Sequence, residues 1–299
     1  MNKNSKISNS GTRILLLGST GMLGHTLRPF LDFHGYTVIT HGRSNHAQHQ
    51  VDITDLAEAN KLLDTVKPDV VINLVGLTNV DFCETEKNKA YLTNIKAVEN
   101  ISAWIKNTKV SSHLIQISTD QVYDGRDLHA EDHVTLTNYY AFSKYAGELA
   151  AASVSSTIIR TNFFGLSHCE KRESLTDWLY DSLSKDKEIK VFDDIFFNPV
   201  SMDTLASIIE RVVQKKPKGI FNVGSALGMS KADFAFSFAD ELNLSTARML
   251  RTSSDQVTFL KTYRPKDMRM DCKRIESELG IKLPVLHDEI KRVACEYNK

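Results

Sequence analysis

The stretch Arg13-Ile14-Leu15-Leu16-Leu17-Gly18-Ser19-Thr20-Gly21-Met22-Leu23-Gly24-His25-Thr26-Leu27 decides the fold. Four apolar residues, Ile14 to Leu17, run directly into a G-x-x-G-x-x-G, and Met22, Leu23 and Leu27 continue at helical spacing. This pattern predicts a buried strand turning sharply into a helix. The glycines permit the tight turn and let backbone N–H groups approach a pyrophosphate, whose negative charge is favoured at a helix N-terminus. Gly18, Thr20, Gly21, Met22, Leu23 and Gly24 are therefore the expected phosphate-binding residues. Glycine also populates ordinary turns. The strand before the loop and the helix after it give the motif its meaning.

Outward from that loop, short apolar runs alternate with longer amphipathic segments as far as Thr161, as β-α-β units around a parallel sheet require. Ile14 to Leu17, Thr37 to Thr40, Val70 to Val75, Leu114 to Ser118 and Thr157 to Arg160 read as strands. Their Val, Ile and Leu content suits strands buried on both faces. Gly21 to Phe33, Leu56 to Val66, Lys89 to Thr108 and Asn138 to Ala152 read as the helices between them. Past Gly165 the rhythm changes. Ser174 to Ser184, Asp203 to Gln214, Lys231 to Leu242 and Asp288 to Glu296 look helical, Lys215 to Gly219 looks like a turn, and Ile189 to Val191 and Gly219 to Val223 look like strands. The predicted class is α/β, a Rossmann-type doubly wound parallel sheet with a smaller, interwoven C-terminal substrate-binding lobe. Residues 1–165 would form the dinucleotide-binding core, with a returning strand near 219–223, and residues 166–299 mainly the lobe.

Composition narrows the partners. The 299 residues are 41% hydrophobic and 25% charged, near the average for globular proteins, which excludes disordered and fibrous classes. Lys plus Arg and Asp plus Glu both total 37, so no net positive charge points to nucleic acid. No apolar run approaches the roughly 20 residues of a spanning helix. The polar segment Met1 to Thr12 lacks the apolar core of a secretory signal and reads as a frayed tail. Cys83, Cys169, Cys272 and Cys295 are scattered without C-x-x-C spacing, so no metal site or redox pair is expected. They read as reduced thiols, which sets the expected location as cytoplasmic, with no membrane partner.

Cofactor choice is read at the end of the second strand. NAD-preferring sites place an acid about 20 residues beyond the glycines to bind the adenosine ribose. Here the strand ends in Thr40-His41-Gly42-Arg43, with no carboxylate and with an arginine able to pair with a 2′-phosphate. NADPH is the expected cofactor, with NADH as the second choice. Asp52 and Ile53 are candidates to flank the adenine, and Leu74, Val75 and Gly76 to let the backbone lie close to the cofactor.

Tyr140 and Lys144 form Y-x-x-x-K on a predicted helix, where side chains four apart share a face. A neighbouring ammonium favours the ionised phenol, whose unperturbed pKa is about 10, and so eases proton transfer near neutral pH. Together with the glycine loop, Tyr140-Ala-Phe-Ser-Lys144 resembles the short-chain dehydrogenase/reductase superfamily, in its extended branch, over nearly the whole chain. The resemblance places the catalytic Ser/Thr at Thr119, within Ser118-Thr-Asp-Gln-Val-Tyr123, and matches Asn94 to the helix asparagine that supports the lysine.

Finer features resemble the dTDP-4-dehydrorhamnose reductase family. Val71-Ile-Asn-Leu-Val-Gly-Leu-Thr-Asn-Val-Asp81, Ser118-Thr-Asp-Gln-Val-Tyr-Asp-Gly125, Asn138-Tyr-Tyr-Ala-Phe-Ser-Lys-Tyr-Ala-Gly-Glu148, Ile159-Arg-Thr-Asn-Phe-Phe-Gly165 and Arg264-Pro-Lys-Asp-Met-Arg-Met-Asp271 occur in that family's order. The resemblance implies substrate contacts at Asp120, Val122, Phe163 and Arg264, the last toward a nucleotide diphosphate. The final block departs at Arg269 and Met270, where smaller or apolar residues are expected, and leaves the sugar open.

What the resemblance implies is reduction of a 4-keto group on a nucleotide-linked deoxysugar, in the synthesis of surface polysaccharide. Hydride passes from the nicotinamide to the ketone carbon, Tyr140 protonates the developing alkoxide, Thr119 holds the carbonyl oxygen, and Lys144 binds the nicotinamide ribose and lowers the tyrosine pKa. The expected partners are that nucleotide sugar and a second copy of the chain in a homodimer. Two alternatives stay open: a nucleotide-sugar dehydratase or epimerase, and a non-catalytic regulatory subunit of the methionine adenosyltransferase β type. Gln121, standing where dehydratases carry Glu, disfavours the first, and the intact Thr119, Tyr140 and Lys144 disfavour the second.

Overall fold

A computed structural model describes residues 11–43, 46–170 and 172–298. Residues 1–10 of the segment read as a tail lie outside this range. In chain order the first elements are β1 (Arg13–Leu17), α1 (Met22–Phe33), β2 (Thr37–His41), α2 (Leu56–Val66), β3 (Val70–Asn73), α3 (Val80–Thr85) and α4 (Lys87–Tyr91). A π-helical turn, Leu92–Lys96, leads into α5 (Ala97–Asn107), then β4 (His113–Thr119), a 3-10 turn (Asp120–Val122), α6 (Tyr139–Ala152), β5 (Ser156–Thr161) and β6 (Phe163–Phe164). The second half holds α7 (Leu175–Ser184), β7 (Ile189–Phe192), β8 (Phe196–Phe197), β9 (Val200–Ser201), α8 (Met202–Lys215), β10 (Gly219–Val223), β11 (Met229–Ser230), α9 (Lys231–Glu241), β12 (Met249–Thr252), a 3-10 turn (Ser254–Gln256), α10 (Lys273–Leu279) and α11 (Leu286–Tyr297). Among the described residues no helix is long and apolar enough to cross a membrane.

Six parallel strands make the central sheet in the order β2-β1-β3-β4-β5-β10. The Rossmann-type doubly wound class is thus observed. Side chains on β1 alternate between two layers, as the pleat demands. Ile14 and Leu16 join a core formed with α1, α8 and α10, whereas Leu15 and Leu17 join the core on the other face with α2, α5 and the end of α6. Each of these four is fully buried. Trimming any one to Ala would cost about 2–5 kcal/mol. Because β2 lies to one side of β1 and β3 to the other, the chain changes direction there and opens a crevice at the strands' carboxyl ends.

A separate core gathers Phe164, Leu179, Phe197, Phe234, Phe238, Met268 and Ile290 from α7, β8, α9, α11 and their loops. This is the C-terminal lobe. β10 joins the edge of the sheet, and Leu205, Ile209 and Val212 of α8, with Ile275 and Leu279 of α10, belong to the core beside α1. Residues 266–271 run between the two layers. The Lys266 carbonyl accepts from the Phe196 amide at 2.7 Å, and the Arg269 carbonyl accepts from the His129 amide at 2.9 Å.

Some helical boundaries differ from expectation. Lys89 to Thr108, read as one helix, contains the π turn at Leu92–Lys96. Such insertions cluster at functional sites, and Asn94 lies inside this one. The short helices α3 and α10 were not anticipated, because six or seven residues give too few turns for an apolar period to register.

Candidate active site

The phosphate loop lies at the change of direction between β1 and β3. Gly18 has φ +79°, and a Cβ on it would stand 3.1 Å from the Leu74 carbonyl carbon and 3.2 Å from the Val75 amide. Leu74 and Val75 therefore border the loop. A Cβ on Gly24 would meet the Ser19 carbonyl oxygen at 2.5 Å, so this position requires the close approach only glycine allows. The amides of Gly18 and Ser19 donate to the His41 carbonyl at 3.0 and 2.9 Å, tying the loop to the end of β2 beside Arg43.

A dinucleotide fits this loop on local chemistry. Side chains of Asp55, Asn138, Ser174, Ser201 and Ser230 cap α2, α6, α7, α8 and α9, whereas Gly21 gives α1 no side-chain cap and its first turn holds no acid. The amides around Met22 and Leu23 thus keep the free donors of a helix start. Arg43 is exposed. Asp52 is occupied by the Thr54 amide at 2.9 Å and hydroxyl at 2.8 Å, and Ile53 is buried beneath it. The Nδ1 of buried His41 has no hydrogen-bond partner, while its Nε2 contacts the Val51 carbonyl at 3.0 Å.

Strand β4 and helix α6 carry the candidate catalytic residues Thr119, Tyr140 and Lys144. Lys144 Nζ donates to the Ile117 carbonyl at 2.7 Å, and the Ser118 hydroxyl donates to Glu148. Two consecutive strand residues thus hold one face of the helix, and Thr119 follows them. Burial pushes the Tyr140 phenol up from its usual value; Thr119 opposes this, and Asp120 and Cys83 add to it. The expected lowering by Lys144 is not observed, because the ammonium is turned to Ile117 and desolvation of the phenol dominates. Burial brings Lys144 itself down to about 8, against partial support from Glu148 and Cys83.

Gly76 sits where the two supporting residues meet. A Cβ there would lie 3.5 Å from Asn94 Oδ1 and 3.7 Å from Lys144 Nζ. The Asn94 side chain is bonded to Leu77 and Ser143: its Oδ1 accepts from the Leu77 amide at 2.8 Å, and its Nδ2 donates to the Leu77 carbonyl and to the hydroxyl of Ser143. Beneath the site, Arg160 pairs with Glu148 and donates to the Tyr123 hydroxyl at 2.7 Å, which in turn donates to Asn222 at 2.7 Å.

The proposed substrate residues divide. Asp120 borders Thr119, is 1% exposed, and accepts from Asn162 Nδ2 at 2.8 Å; burial is the main cause lifting its carboxyl to about 6. Phe163 is half-buried and pairs with Val200. Val122 is fully buried with Tyr123 and Met270, so its side chain supports the site from behind rather than facing a ligand. Arg264, read as a diphosphate contact, forms a two-pronged pair with Asp81 at 2.9 and 3.1 Å. Of the departures in the same block, Arg269 pairs with Asp267 over the Phe196 ring, and Met270 fills the core behind Val122. Sequence reading missed Cys83, packed against Tyr140, and Lys231, which interacts electrostatically with Asp120. Neither belongs to a spacing motif, so no local signal marked them.

The RmlD substrate binding domain profile matches residues 12–299, spanning both the sheet and the lobe. The chain belongs to this family. A solved structure described as a hypothetical dTDP-4-dehydrorhamnose reductase from Sulfolobus tokodaii shares 30% identity with this RmlD-family chain, covering 93% of it and 99% of the other, with a TM-score of 0.82. Another, the dTDP-4-dehydrorhamnose reductase of Bacillus anthracis in complex with NADP, superposes with a TM-score of 0.86 at 23% identity, covering 95% and 99%; at that identity the likeness is one of fold. A curated dTDP-4-dehydrorhamnose reductase from Aggregatibacter actinomycetemcomitans is 28% identical, over 90% of this chain and 94% of its own. The resemblance drawn from the five sequence blocks thus holds across the full RmlD-family architecture.

Proposed function

We propose that this RmlD-family protein is an NADPH-dependent reductase of the 4-keto group on a nucleotide-linked deoxysugar, serving surface-polysaccharide synthesis. The observation that carries the reading is the convergence of Thr119, Tyr140 and Lys144 through β4 and α6, beside a phosphate loop with free helix-start donors. Bound NADPH supplies the hydride that converts the ketone carbon to an alcohol carbon. Thr119 holds the carbonyl oxygen and aligns the phenol. Tyr140, kept neutral by burial, holds the proton that the oxygen takes as negative charge develops there. Lys144 orients the nicotinamide ribose from its place beside Gly76.

General acid catalysis of this kind contributes about 10²- to 10⁴-fold in rate, so alignment must supply much of the remainder. Gln121, with an amide in place of a carboxylic acid, has no proton to exchange at the sugar and weighs against dehydration. All four cysteines are free thiols, which suits a reducing compartment, and the cytoplasm is the proposed location. Turnover of the isolated protein against a panel of nucleotide-linked 4-keto sugars tests the reading. Stoichiometric NADPH oxidation is expected, whereas dehydration without net NADPH loss would replace the reductase by a dehydratase.

A further inference from the structure

We propose that Asp81 is a positioning residue for the reduction: it holds residues 262–266, a strap from the C-terminal lobe, against the start of the helix that carries Tyr140. This role rests on the reductase reading. It also accounts for Arg264, which sequence had assigned to a diphosphate and which the fold commits to a carboxylate.

The strap is fastened at both ends. On the lobe side, Lys266 Nζ donates to Asp194 and to Asp255, both at 2.7 Å, and the Lys266 carbonyl accepts from the Phe196 amide at 2.7 Å. On the sheet side, two carboxylates each take two residues of the strap. Asp81 accepts from the Thr262 amide at 2.9 Å and from Arg264 through both of its oxygens, at 3.1 and 2.9 Å. Asp124 accepts from the Lys266 amide and from the Tyr263 hydroxyl, both at 2.9 Å. Asp81 and Asp124 stand on the segments that leave the carboxyl ends of β3 and β4, so the strap runs along the crevice side of the sheet.

Between these two fastenings the strap meets the helix of Tyr140. Asn138 caps α6: its Oδ1 accepts from the Ala141 amide at 2.9 Å, and its Nδ2 donates to the Tyr263 carbonyl at 3.2 Å. Tyr140 lies in the turn so capped. Helix α3 reaches the same tyrosine directly, because Val80 and Cys83, on either side of Asp81, share one buried cluster with Tyr140. Glu84 of α3 also accepts from the Tyr139 amide at 3.0 Å. With six residues, α3 is too short to hold its place by its own hydrogen bonds, so its packing on Tyr140 depends on what its side chains grip.

An exposed ion pair would contribute little here. The side chains of Arg264 and Asp81 are only 17% and 29% exposed, the pair is two-pronged, and a backbone amide shares the carboxylate. The Arg264 guanidinium, foremost, holds the Asp81 carboxyl below the usual carboxylate range. Removing that charge loosens the Thr262 and Arg264 contacts together and unfastens the strap from α3. A phenol displaced by about 1 Å from the developing alkoxide can cost on the order of 10²-fold in rate.

The test uses wild-type protein, Asp81→Asn, Asp81→Glu, Arg264→Gln and the Asp81→Asn/Arg264→Gln double variant. Amide hydrogen exchange over residues 257–263 reads the strap; kcat and KM with a nucleotide-linked 4-keto sugar, NADPH affinity and thermal midpoints are measured alongside. Asp81→Asn should speed exchange at Thr262 and lower kcat on the order of 10- to 100-fold, with KM, NADPH affinity and thermal midpoint little changed. Arg264→Gln approaches the same fastening from the strap, so the double variant should be no slower than Asp81→Asn, and Asp81→Glu should recover part of kcat. Unchanged exchange at Thr262 in Asp81→Asn, or faster exchange with wild-type kcat, would overturn the positioning role and leave the reductase reading standing. A rise in KM for Arg264→Gln that Asp81→Asn does not share would overturn it too, because Arg264 would then serve the substrate independently of Asp81. Wild-type protein that binds NADPH but reduces no nucleotide-linked 4-keto sugar would remove both.

Discussion

The ammonium of Lys144 is bonded to the backbone carbonyl of Ile117 at 2.7 Å, two residues before Thr119 on the same strand. The neighbouring Ser118 hydroxyl donates to Glu148, four residues beyond Lys144 on the same helix face.

Tyr140→Phe should leave the fold and NADPH affinity nearly intact and slow hydride transfer by about 10²- to 10⁴-fold, since only the phenolic proton is removed. Single-turnover NADPH oxidation with a nucleotide-linked 4-keto sugar, set beside direct cofactor titration, separates chemistry from binding. Near-normal hydride transfer in the variant would remove Tyr140 as the acid.

The lysine gives a pH dependence. Burial lowers Lys144 to about 8 from an ordinary value of 10.5, and its protonated form is the one that donates to Ile117. Activity should hold below that pH and fall as pH rises through it. Stability moves the opposite way: between about 8 and 10.5 the unfolded chain binds more protons at this site, so the group's contribution improves with rising pH. A kcat/KM profile that stays flat to pH ~10 would show that Lys144 is not needed in its charged form. Lys144→Met should reduce both turnover and cofactor affinity at every pH.

Arg43→Ala should weaken NADPH binding more than NADH binding, because only NADPH carries the 2′-phosphate. An exposed charge-assisted contact of this kind gives a shift on the order of 10-fold. Titration of both cofactors decides it, and equal losses would exclude Arg43 from the phosphate contact.

Glu148→Gln should destabilise the protein by about 3–5 kcal/mol, since it leaves the guanidinium of Arg160 buried without its counter-charge. Both side chains are 1% exposed, so water cannot replace the lost partner. Urea unfolding measures the change. A loss under about 1 kcal/mol would mean that Tyr123 and the Glu131 carbonyl suffice for Arg160.

The parts of the molecule that sequence determined are those set by neighbours along the chain. An apolar run followed by spaced glycines specifies a strand, turn and helix, because backbone sterics and hydrogen bonding act over a few residues. Tyr140 and Lys144 were legible for the same reason, since helical repeat alone places them on one face.

Tertiary structure decided what depends on partners far away in sequence. Arg264 reads as a free cation until Asp81, 183 positions earlier, is folded against it. Lys231 reads as the start of an amphipathic helix until Asp120 and Phe197 are brought near. The phenol of Tyr140 was expected to be acidified by its helical neighbour, but Lys144 is bonded to the Ile117 carbonyl and burial raises the phenol instead. Charge and solvation act through space, so a linear pattern can name an ionisable side chain while only the packed chain fixes its partner and its exposure to water.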